Sequence, residues 1–209
     1  MLISAIKKIR KIIIRNLLYE KAIKQENIGE YRAALDILFF ALSISPKLVK
    51  TLVAVARCNE KIKLYPNAVD FIDRAIKAAP ENPILYETRA ILNIKQKEYK
   101  LADEDYDNAI KYSNNPITLY KNKAKINFIS DNIPQAIQDL TKAISLCNKD
   151  YSLYEQRGFY KLLTKSYINA LEDYEKAEEL NPNKSHITQM KSYLTELINT
   201  ERGRHEWIY

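Results

Sequence analysis

Few side chains in this 209-residue chain are of types that carry out chemistry, and those few are scattered. His186 and His205 are the only histidines, and Cys58 and Cys147 the only cysteines. No HExxH, CxxC, GxSxG, GxGxxG or GxxxxGKS/T spacing occurs, so the local arrangements that bind zinc, activate a serine or cradle a phosphate are not found. The densest acidic run, Asp103, Glu104, Asp105 and Asp107, supplies carboxylates of the kind general acid–base catalysis uses. It has no His or Cys beside it, and a solvated helix face accounts for it. No catalytic residue, cofactor or metal is expected, and the chain reads as a non-enzyme.

Charge narrows the reading further. Lys and Arg number 33 against 26 Asp and Glu, a net charge of +7, and residues 1–24 carry +6 of it. The remaining body is close to neutral. A phosphate-binding protein needs its cations clustered on a folded face, so nucleic acid is not an expected partner. Two cysteines make no disulfide framework, and reduced thiols fit a cytoplasmic chain. The unbroken apolar runs fall far short of the roughly 20 residues that a membrane span requires.

The elements that position these residues follow from a period. Ala34, Ala68, Ala102, Ala136 and Ala170 lie 34 residues apart, as do Ala41, Ala75, Ala109, Ala143 and Ala177. A third frame holds Ala22, Ala56, Ala90, Ala124 and Gly158. A small residue returning at a fixed interval marks places where two backbones pass closely. Tyr31, Tyr65, Tyr99 and Tyr167 recur as well, with Ile133 in the fourth place, and so do Leu85-Tyr86, Leu119-Tyr120 and Leu153-Tyr154. Every proline falls at a boundary. Pro46, Pro80 and Pro182 close repeats, and Pro83 and Pro116 open them. Pro66 and Pro134 stand near the first position of a helix, where a missing N–H is harmless.

This pattern resembles the tetratricopeptide repeat, a 34-residue helix–turn–helix with small residues at three fixed places and a closing proline. The resemblance implies an all-α superhelix, a solenoid of five repeats at 15–48, 49–82, 83–116, 117–150 and 151–184. A capping helix and tail follow at 185–209, and residues 1–14 form a basic amphipathic extension. Within the second helices Tyr167, Ala170, Leu171, Tyr174, Ala177 and Leu180 step by three and four, one helix face. The first helices depart from the family. Its common Trp is replaced by Leu18, Leu52, Tyr86, Tyr120 and Tyr154. Gln25, Asn59, Asn93, Asn127 and Lys161 stand where an aromatic usually packs. Two readings of the asparagines stay open: a buried ladder bonding each repeat to its neighbour, or half-solvated side chains on a slightly rotated helix.

The resemblance also implies function. Proteins of this kind usually bind an extended peptide or a partner helix on the concave face lined by the first helices, which makes the chain a protein-binding scaffold. The groove candidates are Arg57, Glu87, Lys121, Asn122, Lys125, Glu155, Gln156 and Phe159. Lys121 and Lys125, one turn apart, either attract an acidic segment or are simply solvated. Some family members clamp the acidic tails of chaperones with a set of Lys, Asn and Arg. The matching windows here hold Tyr19, Ile23, Ala54, Ile84 and Thr88; Val53, Arg57, Thr88, Thr118 and Asn122; and Glu87, Ile91, Asn122, Ser152 and Gln156. None has the cations that would replace a carboxylate's hydration, so no chaperone carboxylate clamp is expected.

Both ends carry further signals. Ser185 is a helix N-cap, and Ile187, Met190, Leu194 and Leu197 make one apolar stripe, giving a capping helix over 185–202. The tail ends in Trp207, Ile208 and Tyr209. No Pro or Gly precedes Gly29, so residues 2–28 can form one helix. Lys7, Lys8, Lys11 and Arg15 share one face of it, opposite Leu2, Ile6, Ile9, Ile13 and Leu17. Three readings compete: the extension folds back to cap the repeats, it lies on an anionic membrane or targets an organelle, or it pairs with a partner helix. The alternative function is thus a membrane-associated assembly or targeting factor.

Overall fold

Helix ends are set by sequence at several points. In this computed structural model Asn82 accepts the Ile84 N–H at 3.1 Å and Asp150 accepts the Ser152 N–H at 2.9 Å, each an N-cap. Pro66, Pro83 and Pro134 occupy the first helical turns, where no donor is lost. Residues 2–206 are described, with side-chain surroundings for 5–200; the Trp207-Ile208-Tyr209 tail lies outside them.

Among the described residues there are eleven helices and no strand. They are α1 (Leu2–Asn27), α2 (Tyr31–Ile44), α3 (Val49–Lys61), α4 (Tyr65–Ala78), α5 (Pro83–Lys95), α6 (Tyr99–Tyr112), α7 (Ile117–Ile129), α8 (Ile133–Leu146), α9 (Tyr151–Leu163), α10 (Tyr167–Leu180) and α11 (Ser185–Glu206). The terminal helix runs on to Glu206, beyond the span its apolar stripe defines. The chain divides into two compact bodies, Met1–Tyr112 and Ser113–Tyr209.

The three small-residue frames are the helix crossings. Every alanine in them is at most 2% exposed, and Gly158 is buried too. A Cβ on Gly158 would sit 3.1 Å from the Tyr174 ring, a very close approach of α9 to α10. Around these crossings the first body buries Leu38, Leu52, Val55, Ile72, Leu85 and Leu92. The second buries Leu140, Leu153, Tyr160, Tyr174, Ile187 and Leu194, the last two from α11. The Tyr residues that replace the family's Trp fasten the junctions between repeats. Tyr86 donates to the Pro80 carbonyl at 2.8 Å and Tyr154 to that of Asn148 at 3.3 Å.

The turn inside each repeat has its own period. Gly29, Lys63, Lys97, Asp131 and Lys165 all adopt the left-handed conformation, with φ between 59° and 85°. Each follows a first helix and closes it with the same pair of hydrogen bonds. At Lys63, its own N–H reaches the Glu60 carbonyl and the Leu64 N–H reaches that of Asn59, both at 2.9 Å. Only Gly29 reaches this conformation without a Cβ penalty.

Two predictions follow from this backbone and core. Lys97→Gly is expected to stabilise the chain by up to about 1 kcal/mol by removing that penalty, and Lys97→Val to destabilise it, in urea unfolding. The second concerns the free thiols Cys58, which is buried, and Cys147, which is half-buried. Burial pushes the Cys58 thiol up to about 11, the Glu26 charge adds to this, and Arg57 partly offsets it. At pH 8 a thiol reagent is therefore expected to label Cys147 first and Cys58 only as the protein opens. Between the ordinary thiol value of 9.0 and about 11 the unfolded chain loses the Cys58 proton while the folded chain keeps it, so stability falls as pH rises through that window.

Candidate functional site

The first helices carry two polar systems, one buried and one at the surface. The buried one begins with the asparagines. Asn93 and Asn127 are 5% and 4% exposed, and each amide donates to an aspartate on the second helix of the same repeat: Asn93 to Asp105 at 3.0 Å and Asn127 to Asp139 at 2.9 Å. The asparagines are thus buried rather than half-solvated, and the ladder between repeats is corrected to a bond within the third and fourth repeats, twelve residues along the chain. In the fifth repeat Lys161 fills that place, with its ammonium 2.8 Å from Asp173. In the second, Phe71 stands where the later repeats have Asp, and Asn59 turns back to the Val55 carbonyl at 2.8 Å.

Buried aspartates need cations. Arg89 grips Asp105 at 2.6 and 3.0 Å and reaches Asp73 on the preceding second helix at 2.5 Å. Arg157 holds Asp173 in the same way, at 2.6 and 2.9 Å. Each guanidinium lies over the Tyr three residues earlier, Tyr86 or Tyr154. Lys123 occupies the equivalent place in the fourth repeat and is also buried. Desolvation pulls the Arg89 value down, but its hydrogen bonds to Asp105 and Asp73 and their charges outweigh it and the net shift is upward. Desolvation raises the Asp105 carboxyl above its ordinary value, against the opposing pull of Arg89. Asp105 therefore does not belong to a solvated acidic face. Its frame-mates Asp139 and Asp173 were visible in the sequence as a 34-residue Asp series.

The surface system takes up most of the groove candidates. Arg57 pairs with Glu26 on the preceding first helix, with one hydrogen bond of 2.6 Å. Lys121 donates to the Ser152 hydroxyl at 2.7 Å, so it is not simply solvated. Glu155 lies 2.7 Å from the His186 imidazole of α11. Gln156 donates to the Tyr160 hydroxyl at 3.0 Å. Glu87 and Asn122 are half-buried and interact with their surroundings. Lys95–Glu60, at 2.7 Å, is a further pair of the same kind. Arg57 and Glu87 lie in the first body and the other six candidates in the second.

Lys125 and Phe159 remain exposed, one turn before the exposed Ile129 and Leu163 respectively. The Phe159 ring meets Phe128 edge-on at 6.1 Å, and Phe128 stacks on Tyr160 at 4.7 Å. Sequence reasoning missed Ile129 and Leu163, although they are four residues beyond two candidates and 34 apart.

Solved structures place this architecture among known proteins. MamA superposes with a TM-score of 0.71 over 83% of this chain and 94% of its own, at 17% identity. YrrB, described as a TPR protein with an unusual peptide-binding site, gives 0.67 over 90% and 96% at 16% identity. The chain has the tetratricopeptide-repeat fold. PilF of Pseudomonas aeruginosa shares it too, with a TM-score of 0.65 over 92% of this chain and 87% of that one at 14% identity. No protein-family model and no curated protein matches the sequence.

The extension lies on a helix continuous with this tetratricopeptide-repeat body. Lys7, Lys8 and Lys11 are exposed and Arg15 is half-buried. Ile6, Ile9, Ile13 and Leu17 are exposed, Leu17 by 65%, so the stripe does not fold back onto the repeats. Leu2 has no described side chain. No helix among the described residues is long and apolar enough to cross a membrane.

The two polar systems should separate in mutagenesis. Arg89→Ala strands the buried Asp105 and is expected to cost about 3–5 kcal/mol. Arg57→Ala breaks a pair whose cation is 42% exposed but leaves the 10% exposed Glu26 without that partner, and should cost less, about 1–3 kcal/mol in the same denaturant titration.

Proposed function

We propose that the chain is a non-catalytic scaffold that binds a segment of another protein on its first helices, and that Lys125, Ile129, Phe159 and Leu163 form the principal contact in the second body. The observation that carries this reading is the apolar shelf itself. Exposed aromatic and aliphatic side chains stand there in a row on adjacent first helices, while most polar neighbours are already paired within the chain. Rigid aromatics at the centre of a contact supply most of its energy. Lys125 beside them favours a segment with apolar anchors and a nearby carboxylate. One protein of the same fold, YrrB, is described as having a peptide-binding site. The acidic run on α6 offers no opposing case for catalysis, since Asp105 is committed to Arg89 and Asn93.

A second reading, a membrane-associated assembly or targeting factor, draws support from the uncovered stripe of α1. In that reading α1 holds the chain at a surface while the repeats bind a protein, so the two readings use different parts of one molecule.

Peptides selected from a random displayed library against the whole chain test the scaffold. Phe159→Ala should weaken the selected peptides by about tenfold or more, an effect of the size expected for an aromatic anchor. Lys125→Glu should weaken acidic peptides most. Unchanged dissociation constants in both variants, with thermal unfolding unaltered, would defeat the assignment to this shelf.

A further inference from the structure

We propose that α1 between Ala5 and Leu17 lies in the plane of an anionic lipid surface, with its isoleucines in the acyl boundary and the repeats facing water. This rests on the surface-anchored reading above and names the surface. Three observations carry it.

The first is the width of the apolar sector. At about 100° per residue, Ile12, Ala5, Ile9, Ile13, Ile6, Leu17 and Ile14 sweep an arc of about 200°, interrupted by Asn16 and Arg10. Every one of them is exposed. A partner helix or a protein core covers a stripe on the order of 100° wide. An arc twice that width suits a medium that closes around the helix from both sides, as the boundary of a bilayer does.

The second is charge. Lys7 stands at one border of the arc and Lys8 at the other, with Lys11 and Arg15 between them on the narrow polar side and Arg10 inside the arc near its Lys7 end. The chain has no acidic residue before Glu20. A second copy of residues 5–17 laid against the first would bring cation to cation with no carboxylate in the segment to relieve it. The complementary surface is anionic, and long basic side chains at the edge of an apolar arc reach headgroup phosphates while their stems stay in the apolar layer.

The third is direction. Ala22, fully buried, with Tyr19 and Ile23 packed on the same core, marks the side of α1 that faces the first body. Ile13 lies nine residues earlier, about half a turn around the helix from Ala22. The stripe can therefore press into a surface while the opposite side of α1 keeps its packing on the first body.

The test is flotation of the full-length chain with vesicles of phosphatidylcholine alone and with about 30% phosphatidylserine, at about 50 mM and about 500 mM salt. The expected result is retention on the anionic vesicles at low salt, release at high salt, and at least about tenfold weaker retention on phosphatidylcholine. Lys7→Gln, Lys8→Gln and Arg10→Gln together should weaken anionic binding about 100-fold. Ile9→Asp with Ile13→Asp should abolish retention on either vesicle. These side chains are exposed, so thermal unfolding of the repeats should stay unchanged in both variants, and sedimentation should show one monomeric species. Equal retention on both vesicles would overturn the anionic surface while leaving surface anchoring in place. Absence of retention on either would overturn both. A dimer that disappears with Ile9→Asp and Ile13→Asp, without vesicle binding, would assign the stripe to a second copy of the chain.

Discussion

Everything in this structure depends on helix backbones approaching closely enough that only Ala or Gly fits between them. The three small-residue frames hold that approach at every repeat, and Gly158 shows how tight it becomes, with Tyr174 3.1 Å from the position of an added Cβ. Helices this close leave no space for water at the crossing, so polar groups near it must find partners in the protein. The left-handed turn that reverses the chain is drawn in by the same geometry. Its closing bond ends on the carbonyl of Gln25, Asn59, Asn93, Asn127 or Lys161, and in three of those residues the side chain continues to an aspartate on the returning helix.

The buried polar row and the surface pairs do different physical work. Arg89 and Asn93 satisfy an Asp105 carboxylate that is only 3% exposed, where the loss of the cation leaves a buried charge without its partner. They fix which residue of the first helix meets which residue of the second. Glu26–Arg57, Glu60–Lys95 and Glu155–His186 instead run between consecutive first helices or onto α11, and Arg57, Lys95 and His186 stay partly exposed. Such pairs contribute little stability singly. They leave Ile129, Phe159 and Leu163 as exposed apolar side chains on the first helices of the second body.

Much of the fold could be read in the sequence because a contact repeated at a constant interval leaves a constant residue. The alanine frames, the boundary prolines and the unbroken run before Gly29 each have one local cause. The partners of the polar residues were harder to read. Asn93 and Asn127 carried a visible period, but a period does not say whether an amide bonds forward to the next repeat or across its own turn. Asp105 sits among Asp103, Glu104 and Asp107, and a cluster of acids hides the one member that faces inward. The groove candidates were harder to judge, since Arg57, Lys121 and Glu155 look available in sequence and are engaged in space.

The polar ties of this protein join residues close in sequence. Asn93 reaches Asp105 twelve residues on, Arg89 reaches sixteen residues in either direction, and Arg57 reaches back 31 to Glu26. A chain held by such short loops has little closure entropy to overcome and can begin folding before it is complete. Once α6 has left the ribosome, Arg89 has both of its aspartates within reach, and the first body can form during synthesis while the second is still being made.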